Sequence, residues 1–279
     1  MKNLKNKNII LVGDSISKGL FLDHMSVRRL ERNAVDIINE TYGILIECHS
    51  VFGQTLKRAF EKNLISELPN FFEKDKENVV VIELGGNDAD YDWKAVAGSP
   101  NEKHFSKTKV GEFKQILKES ILFLQNNGAK VVVCSIFPMD SKRYFDSVIK
   151  AQANAENVLM FLENDIMNLS RHQEVFNNAI QTIVKETGCA FLDYRSRILL
   201  KNDFLTYICE DGIHPNDKGH QYIAKVATDF IENFSFNSWK GFGKKKEHWK
   251  RIISQNCEIF LCKNIGFAFL FLFFKKWWC

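Results

Sequence analysis

Five short apolar runs, rich in β-branched residues, alternate with longer stretches of helical periodicity, and this alternation limits the fold more than any other feature. The runs predict strands at residues 8–12, 45–50, 78–84, 130–136 and 190–193. The stretches between and after them predict helices at residues 27–42, 56–64, 109–127, 158–187 and 217–234. Such a rhythm is typical of a parallel sheet covered by helices on both faces. A sheet of this kind binds ligands beyond the carboxyl ends of its strands.

Three short polar motifs stand where such a site would form. Gly13-Asp14-Ser15 follows the first predicted strand, a Gly-Gly-Asn-Asp segment at residues 85–88 follows the third, and an Asp-Gly-Ile-His-Pro segment occupies residues 211–215. Each has a structural reading as well, namely a capped strand-to-helix turn, a glycine turn, or a turn before a proline that starts a helix. The three motifs together, in this order, favour a catalytic site over three unrelated turns.

The motifs contain the residues of a nucleophilic triad. A serine hydroxyl is a poor nucleophile at neutral pH, so it needs an imidazole to take its proton and a carboxylate to orient that imidazole. Ser15, His214 and Asp211 are the candidates for these roles. Because Asp211 and His214 are three positions apart, we expect both on one loop that faces the serine.

Together with Gly53, in the segment at residues 50–55, these motifs resemble those of the SGNH (GDSL-type) hydrolases, and the resemblance covers residues 8–234. It implies a three-layer α/β/α sandwich around a central, mostly parallel five-stranded sheet, as in flavodoxin-like folds. It also implies hydrolysis of esters or thioesters. Ser15 is then the nucleophile, His214 the general base and later the acid, and Asp211 the carboxylate behind it.

The resemblance also implies an oxyanion hole made by the backbone N–H groups of Ser15 and Gly53 and the side-chain amide of Asn87. These residue types suit the task, because a glycine lets its N–H approach a substrate oxygen and an asparagine amide donates without being protonated. Asp14 and Asp88 are needed neither as acid nor as base. A carboxylate after a strand more often caps a helix or accepts backbone hydrogen bonds.

Two segments are expected to rim the crevice and to decide the substrate. Residues 90–104 follow the Asn87 motif, and residues 138–145 follow the fourth predicted strand. Trp93 and Tyr144 from these segments, with Asp14, are the candidate substrate-lining residues. The alternative for the two aromatic side chains is that they cover exposed core.

The predicted function is that of a serine hydrolase that cleaves a carboxylic ester, with a small acyl or acetyl group, through an acyl-enzyme intermediate. A thioesterase or a carbohydrate deacetylase would use the same triad, and a non-catalytic binding protein on the same fold is a further alternative. The mechanism requires no metal and no organic cofactor. The expected partner is a small-molecule ester, and the sequence leaves the oligomeric state open.

Composition and charge exclude several other classes of protein. The net charge of +4 is small and comes partly from a basic stretch at residues 240–251, and no nucleic-acid motif accompanies it. The seven cysteines show no metal-ligand spacing and are expected to be reduced thiols. Because the basic N-terminus runs directly into the first strand without a signal-peptide pattern, a cytoplasmic location is expected.

The hydrolase domain is expected at residues 1–236, followed by a basic and then aromatic and apolar extension at residues 237–279. The apolar run at residues 265–274 has about half of the roughly 20 residues that span a bilayer. Three readings remain open: an interfacial membrane anchor, an added element on the domain or a partner subunit, and an extension without selected function. The shortness of the run favours the last two over membrane contact.

Overall fold

Residues 2–233 are the part of the chain that the computed structural model describes. The extension predicted at residues 237–279, with its apolar run, lies outside these residues, and so does the domain boundary predicted at residue 236. Both stay predictions. Within residues 2–233, no helix combines the length and the apolar character that crossing a bilayer requires.

Five of the strands among the described residues form one parallel sheet. The strands are β1 (Lys7–Gly13), β2 (Leu20–Asp23), β3 (Ser26–Arg29), β4 (Glu47–Ser50), β5 (Glu77–Glu83), β6 (Lys130–Cys134) and β7 (Ala190–Leu192). The sheet has the order β4-β1-β5-β6-β7, and each neighbouring pair is parallel. The predicted five-stranded sheet is therefore confirmed, with the strand order of flavodoxin-like folds.

Helices connect these strands. They are α1 (Ala34–Tyr42), α2 (Leu56–Glu61), α3 (Leu64–Glu67), α4 (Trp93–Gly98), α5 (Val110–Asn126), α6 (Ser141–Arg143), α7 (Lys150–Gln152), α8 (Ala155–Phe161), α9 (Asn168–Thr187), α10 (Arg195–Leu199) and α11 (Asp217–Asn233). A π-helical segment, Tyr144–Ile149, joins α6 to α7, and single 3₁₀ turns occur at Leu68–Phe71 and Phe204–Tyr207.

The helices cover both faces of the sheet. From β1 the chain moves outward through α1 to β4, and then returns across the sheet to β5, β6 and β7 through α2, α5 and α9. Because such parallel crossovers are right-handed, the reversal places α1 on one face and the other three helices on the opposite face. The packing agrees, since α1 contacts α11 whereas α5 contacts α2 and α9. This is the predicted three-layer α/β/α arrangement.

The middle strands and the helices on them form the core. Ile10 of β1, Val80 of β5 and Val133 of β6 are completely buried, as expected for parallel strands covered on both faces. Between α5 and α9, the rings of Phe113 and Phe176 meet edge to face with centroids 5.2 Å apart. Burial of these strands fixes the sheet edge at which the polar motifs emerge.

The helix predicted at residues 27–42 is wrong in its first part. β2 and β3 form an antiparallel hairpin there, and its strand Ser26–Arg29 is exposed along its whole length. The helix begins only at Ala34, where the side chain of Asn33 accepts hydrogen bonds from the N–H groups of Val35 and Asp36. Asn33 is the strong N-terminal signal in this stretch, because its carboxamide satisfies N–H groups that a helix leaves without partners.

The helix predicted at residues 158–187 is in fact two helices, α8 and α9, separated by a turn. Glu163 and Asn164 in this turn have positive φ angles of 56° and 58°, a left-handed conformation that cannot continue a helix. The helix predicted at residues 56–64 is likewise divided into α2 and α3, and Asn63 between them has φ 60°. The apolar spacing continues across each break, which explains why periodicity alone joins the pieces.

A cap stands over one end of the sheet. We use this name for α4 together with residues 138–169, whose buried apolar side chains form a cluster separate from the strands: Trp93, Val96, Tyr144, Phe145, Val148, Ile149, Val158, Leu162 and Leu169. Leu22 of the hairpin and Ile213 pack against this cluster. The cap therefore touches both the hairpin and the loop that carries His214.

Candidate functional site

Ser15, His214 and Asp211 lie within hydrogen-bonding distance of one another in one line. Ser15 Oγ is 2.8 Å from His214 Nε2, and His214 Nδ1 is 2.6 Å from Asp211 Oδ2. All three side chains are buried. Ser15 reaches this position because it comes after Asp14, just beyond the end of β1 in the middle of the sheet, whereas the other two residues come from the loop before α11. The structure thus brings together residues about two hundred positions apart.

Asp211 accepts more hydrogen bonds than the one from the imidazole. Its Oδ1 accepts from the backbone N–H groups of Ile213 and His214, each at 3.0 Å, and its Oδ2 accepts from the Leu22 N–H at 2.7 Å. Burial by itself raises the pKa of this carboxyl, but the bond to His214 and these backbone donors outweigh it, so the pKa lies below its ordinary value. Asp211 is therefore ionised at neutral pH.

The loop that carries Asp211 and His214 is fixed by close backbone approaches. Gly212 has φ +79°, and a Cβ atom there would lie 2.4 Å from the Tyr144 N and 2.6 Å from the Asp140 O. The Asp140 N–H in turn donates to the Gly212 carbonyl at 2.8 Å. Only glycine fits this position without displacing the cap. On the other side, the Cys209 N–H donates to the His214 carbonyl at 2.8 Å, which closes the loop.

The groups expected to bind an oxyanion lie at neighbouring strand ends. Ser50, the last residue of β4, pairs with Gly13 of β1, so the turn with Gly53 stands beside the turn with Ser15. Within residues 2–233, neither the Ser15 N–H nor the Gly53 N–H has a hydrogen-bond acceptor. Gly53 has φ +67°, a conformation that favours glycine. Two backbone donors on neighbouring turns are thus left unpaired within residues 2–233.

Asn87 is oriented by Asp14. The Asn87 Nδ2 donates to Asp14 Oδ2 at 2.9 Å, and Asp14 Oδ1 accepts from the Ile16 N–H at the same distance. Burial raises the pKa of Asp14 to about 6, although the Ile16 N–H, His214 and the Asn87 amide oppose this rise. Because one amide hydrogen of Asn87 is bound by Asp14, the plane of the amide is fixed and its second hydrogen remains for another acceptor.

Asp88 has the structural role expected of it. Its Oδ2 accepts from the Leu56 N–H at 2.7 Å, at the start of α2, and its Oδ1 accepts from the Thr108 hydroxyl at 2.6 Å. The carboxylate therefore ties the Gly-Gly-Asn-Asp turn to a helix N-terminus and to a second loop. This anchoring places Asn87, its neighbour in sequence, at the site.

Glu83 is a buried acid that sequence analysis missed. It is the last residue of β5, and the Tyr194 hydroxyl donates to its Oε1 at 3.3 Å. Burial first and then the charge of Asp14 raise its pKa well above the usual value for a glutamate. The protonated form of Glu83 is therefore favoured more than in an exposed glutamate. The sequence signal for it is a Glu directly after the apolar run at residues 79–82.

A cavity of about 430 Å³ opens beside Ser15 and His214 and extends under the cap. Asp14, Trp93 and Tyr144 line it, and so do Ser15 and Asn87, whereas Gly53 does not. Contact of the first three residues with a substrate stays a prediction. Trp93 and Tyr144 share a partner, since the indole Nε1 and the tyrosine hydroxyl donate to Asp90 Oδ1 at 2.9 and 2.7 Å. Both aromatic rings belong to the buried cap cluster as well. The rings of Trp93 and Tyr144 therefore line the cavity and pack in the buried cap cluster at the same time.

Helix α9 contributes a wall that sequence analysis did not assign to the site. Asn168, Leu169, His172 and Gln173 line the cavity, and so does Phe161 at the end of α8. The helical pattern around His172 predicts a structural rather than a catalytic role for it. The signal that could have found this wall is the polar pair His172-Gln173 on a helix whose buried face is mostly apolar. Among the described residues, no group of three or more metal-binding side chains occurs.

The comparisons with known proteins agree with this architecture. A family model described as the GDSL-like lipase/acylhydrolase family matches residues 11–222. This stretch includes all the residues of the hydrogen-bonded line and the three motifs. No individually curated protein is similar enough to the chain to count as a match.

Several solved structures share the fold at low sequence identity. A lipase/acylhydrolase from Enterococcus faecalis is 16% identical with a TM-score of 0.54, over 81% of this chain and 95% of the other. A lipolytic G-D-S-L family protein from Veillonella parvula is 14% identical with a TM-score of 0.56, over 82% of this chain and 100% of the other. The esterase EstA from Pseudoalteromonas sp., in a structure inhibited by monoethylphosphonate, is 18% identical with a TM-score of 0.50, over 82% and 97%.

Proposed function

The chain belongs to the GDSL-like lipase/acylhydrolase family, and on this premise we propose that it is a serine hydrolase that cleaves a carboxylic ester through an acyl-enzyme intermediate. The observation that carries the proposal is the hydrogen-bonded line from Ser15 Oγ through His214 to Asp211, with distances of 2.8 and 2.6 Å. This geometry suits the activation of a serine hydroxyl, because proton acceptor and orienting carboxylate are both in place.

In the first half of the reaction, Ser15 Oγ attacks the ester carbonyl carbon while His214 Nε2 takes the hydroxyl proton. Asp211 stabilises the imidazolium, for which its four hydrogen bonds keep it ionised. When the tetrahedral intermediate collapses, the bond between carbon and leaving oxygen breaks. The alcohol then leaves with the proton from His214. The acyl group remains on Ser15.

The negative charge on the former carbonyl oxygen needs donors that are fixed before the reaction. The N–H groups of Ser15 and Gly53, which have no acceptor within residues 2–233, and the free amide hydrogen of Asn87 are our candidates. Removal of one such donor typically costs about 100- to 1000-fold in turnover. Water then attacks the acyl-enzyme with His214 as base, and the carboxylic acid is released.

We place the substrate among esters of small acyl groups because the cavity at Ser15 has a volume of only about 430 Å³ and extends under the cap. Trp93, Tyr144 and Asp14 are proposed to contact the bound ester from its walls. A non-catalytic binding protein would have no need of a serine aligned with an imidazole and an ionised carboxylate. The aligned side chains therefore favour hydrolysis over binding alone.

The test is the hydrolysis of p-nitrophenyl esters from acetate to long acyl chains, measured for wild type and for Ser15→Ala. We expect turnover that falls with chain length in the wild type and a loss of at least about a thousandfold in the variant. A fluorophosphonate should label the wild type but not Ser15→Ala. Ser17→Ala is the matched control, since Ser17 lies in the same turn but bonds to Ser50. Full activity in Ser15→Ala would overturn the proposal.

A further inference from the structure

The α9 wall of the cavity carries polar side chains that the proposed mechanism does not use, and two of them are His172 and Gln173. His172 and Gln173 lie on the same cavity wall as Leu169, one helical turn further along α9. The rest of this end of the cavity is mostly apolar or aromatic, with Tyr91, Trp93 and Phe161. Polar groups in such a wall usually fix the orientation of a ligand.

His172 has a ring nitrogen without a partner. Its Nδ1 is 3.4 Å from the Tyr91 hydroxyl, and the two rings are tilted against each other with centroids 4.9 Å apart. Its Nε2 is buried and has no hydrogen-bond partner within residues 2–233. Burial lowers the pKa of His172 and raises the pKa of Tyr91, so both are neutral at neutral pH. Whichever ring nitrogen carries the proton, Nε2 is left to form a hydrogen bond, as a donor or as an acceptor.

The side chain of Gln173 is oriented by a hydrogen bond to its amide oxygen. Its Oε1 accepts from Arg195 Nη1 at 2.7 Å, and this arginine is itself fixed by Glu174 and by the Ile136 carbonyl. The amide nitrogen Nε2 has no acceptor among the described residues, although Gln173 is a buried residue that lines the cavity. The oxygen is thus used by the protein, and the NH₂ group is the part that remains for a ligand.

We infer that His172 and Gln173 form a hydrogen-bonding subsite for hydroxyl groups of the substrate. The inference rests on the proposed function and narrows its substrate class to hydroxylated esters, such as esters of sugars or other polyols. The His172 ring and the Gln173 amide are neutral and suit a hydroxyl group, which can both donate and accept a hydrogen bond. The cation on this rim, Arg171, is already paired with Asp165, which disfavours an anionic group. The rings of Tyr91, Trp93 and Phe161 fit the apolar C–H faces of a polyol ring.

The inference is tested with pairs of esters that differ only in hydroxyl groups. One pair varies the alcohol: glucose acetylated on its primary hydroxyl against tetrahydropyran-2-ylmethyl acetate, which keeps the ring oxygen. The other varies the acyl group: p-nitrophenyl β-hydroxybutyrate against p-nitrophenyl butyrate. We expect the wild type to prefer the hydroxylated member of at least one pair by about tenfold or more in kcat/KM. The pair that shows the preference identifies the part of the ester that occupies the subsite.

Variants connect the preference to the subsite. His172→Phe keeps a ring of similar shape but removes both nitrogens, and Gln173→Met removes the amide at similar length. Each should reduce the preference to about threefold or less, while hydrolysis of p-nitrophenyl acetate and fluorophosphonate labelling stay within about twofold of wild type. Val175→Ala, on the same helix and cavity rim, should change both members of a pair equally. His172→Phe alone suffices if Gln173→Met fails to fold.

Failure of the subsite and failure of the hydrolase proposal give different results. If labelling and acetate hydrolysis are normal but neither pair shows a preference, or His172→Phe leaves the preference intact, the subsite is wrong and the hydrolase proposal stands. If no ester is hydrolysed, the pairs are compared by their binding to Ser15→Ala in saturation-transfer NMR. A binding preference lost in His172→Phe then supports the subsite without catalysis, and equal binding overturns it.

Discussion

The strand ends and the cap surround the same cavity but are built in different ways. Ser15 and Asn87 at the strand ends, and Asp211 on the loop that meets them, are fixed by short hydrogen bonds, several of them from backbone N–H groups in tight turns. The cap is held mainly by apolar side chains such as Ile149 and Val158, which are completely buried. The difference indicates that the hydrogen-bonded side chains are held in fixed positions, whereas the cap is held as a stable apolar shape.

If this comparison is correct, polar changes at the strand ends and at the Asp211 loop reduce turnover far more than they reduce stability. Apolar changes in the cap do the reverse.

The largest effect on turnover is expected from Asp211→Asn. The variant keeps the shape of the side chain but alters the tautomer and charge of His214, so kcat for p-nitrophenyl acetate should fall by about 10³- to 10⁴-fold. The melting temperature measured by circular dichroism should change only slightly. Asp203→Asn, which removes an exposed carboxylate, is the control and should retain wild-type kcat.

Asn87→Ala is next. It removes a neutral donor to the developing oxyanion, and kcat should fall by about 100- to 1000-fold with little change in KM. Asn127→Ala, in an exposed position at the end of α5, serves as the matched control. A kcat within threefold of wild type in Asn87→Ala would place the oxyanion elsewhere in the cavity.

Asp14→Asn should have a smaller effect on turnover, about tenfold, because it misorients the Asn87 amide without removing it. Its effect on stability depends on pH. The folded pKa of Asp14, about 6, is above its ordinary value of 3.8. The contribution of Asp14 to the free energy of unfolding is therefore fully present below pH 3.8. It is lost as the pH rises through the folded pKa of about 6.

The replacement should therefore raise the free energy of unfolding by about 2 kcal/mol near pH 8 relative to wild type, and by much less near pH 4. Urea unfolding at both pH values checks this difference. Equal effects at the two pH values would show that the Asp14 carboxyl does not titrate between them.

The smallest effect on turnover is expected in the cap. Ile149→Ala leaves a cavity in a fully buried cluster and should lower the free energy of unfolding by about 2–4 kcal/mol. Because backbone hydrogen bonds hold Ser15 and Asp211, kcat for p-nitrophenyl acetate should stay within about threefold of wild type. Ile44→Ala makes the same truncation outside the cap and serves as the control variant for kcat. A collapse of kcat in a folded Ile149→Ala protein would show that the cap positions the triad.

Sequence patterns predicted the elements that depend on local order. The five strands of the sheet stand where the apolar runs predicted them, and the long helices α5 and α11 match their predicted ranges closely. The errors occur where a local signal competes with periodicity. At residues 26–29 a hairpin replaces the predicted helix, and at Glu163 and Asn164 left-handed backbone interrupts one. Periodicity cannot detect these features because it measures only the spacing of apolar residues.

The sequence by itself determined the fold class, the family and the candidate triad, because strand-forming runs and the motifs that follow them are local. Only the tertiary structure decided what surrounds these groups: the Leu22 N–H on Asp211, the Asp14 carboxylate on Asn87, and the α9 wall with His172. These contacts join residues distant in the chain, and their free energy depends on burial and on distance. Neither quantity is defined until the chain has folded.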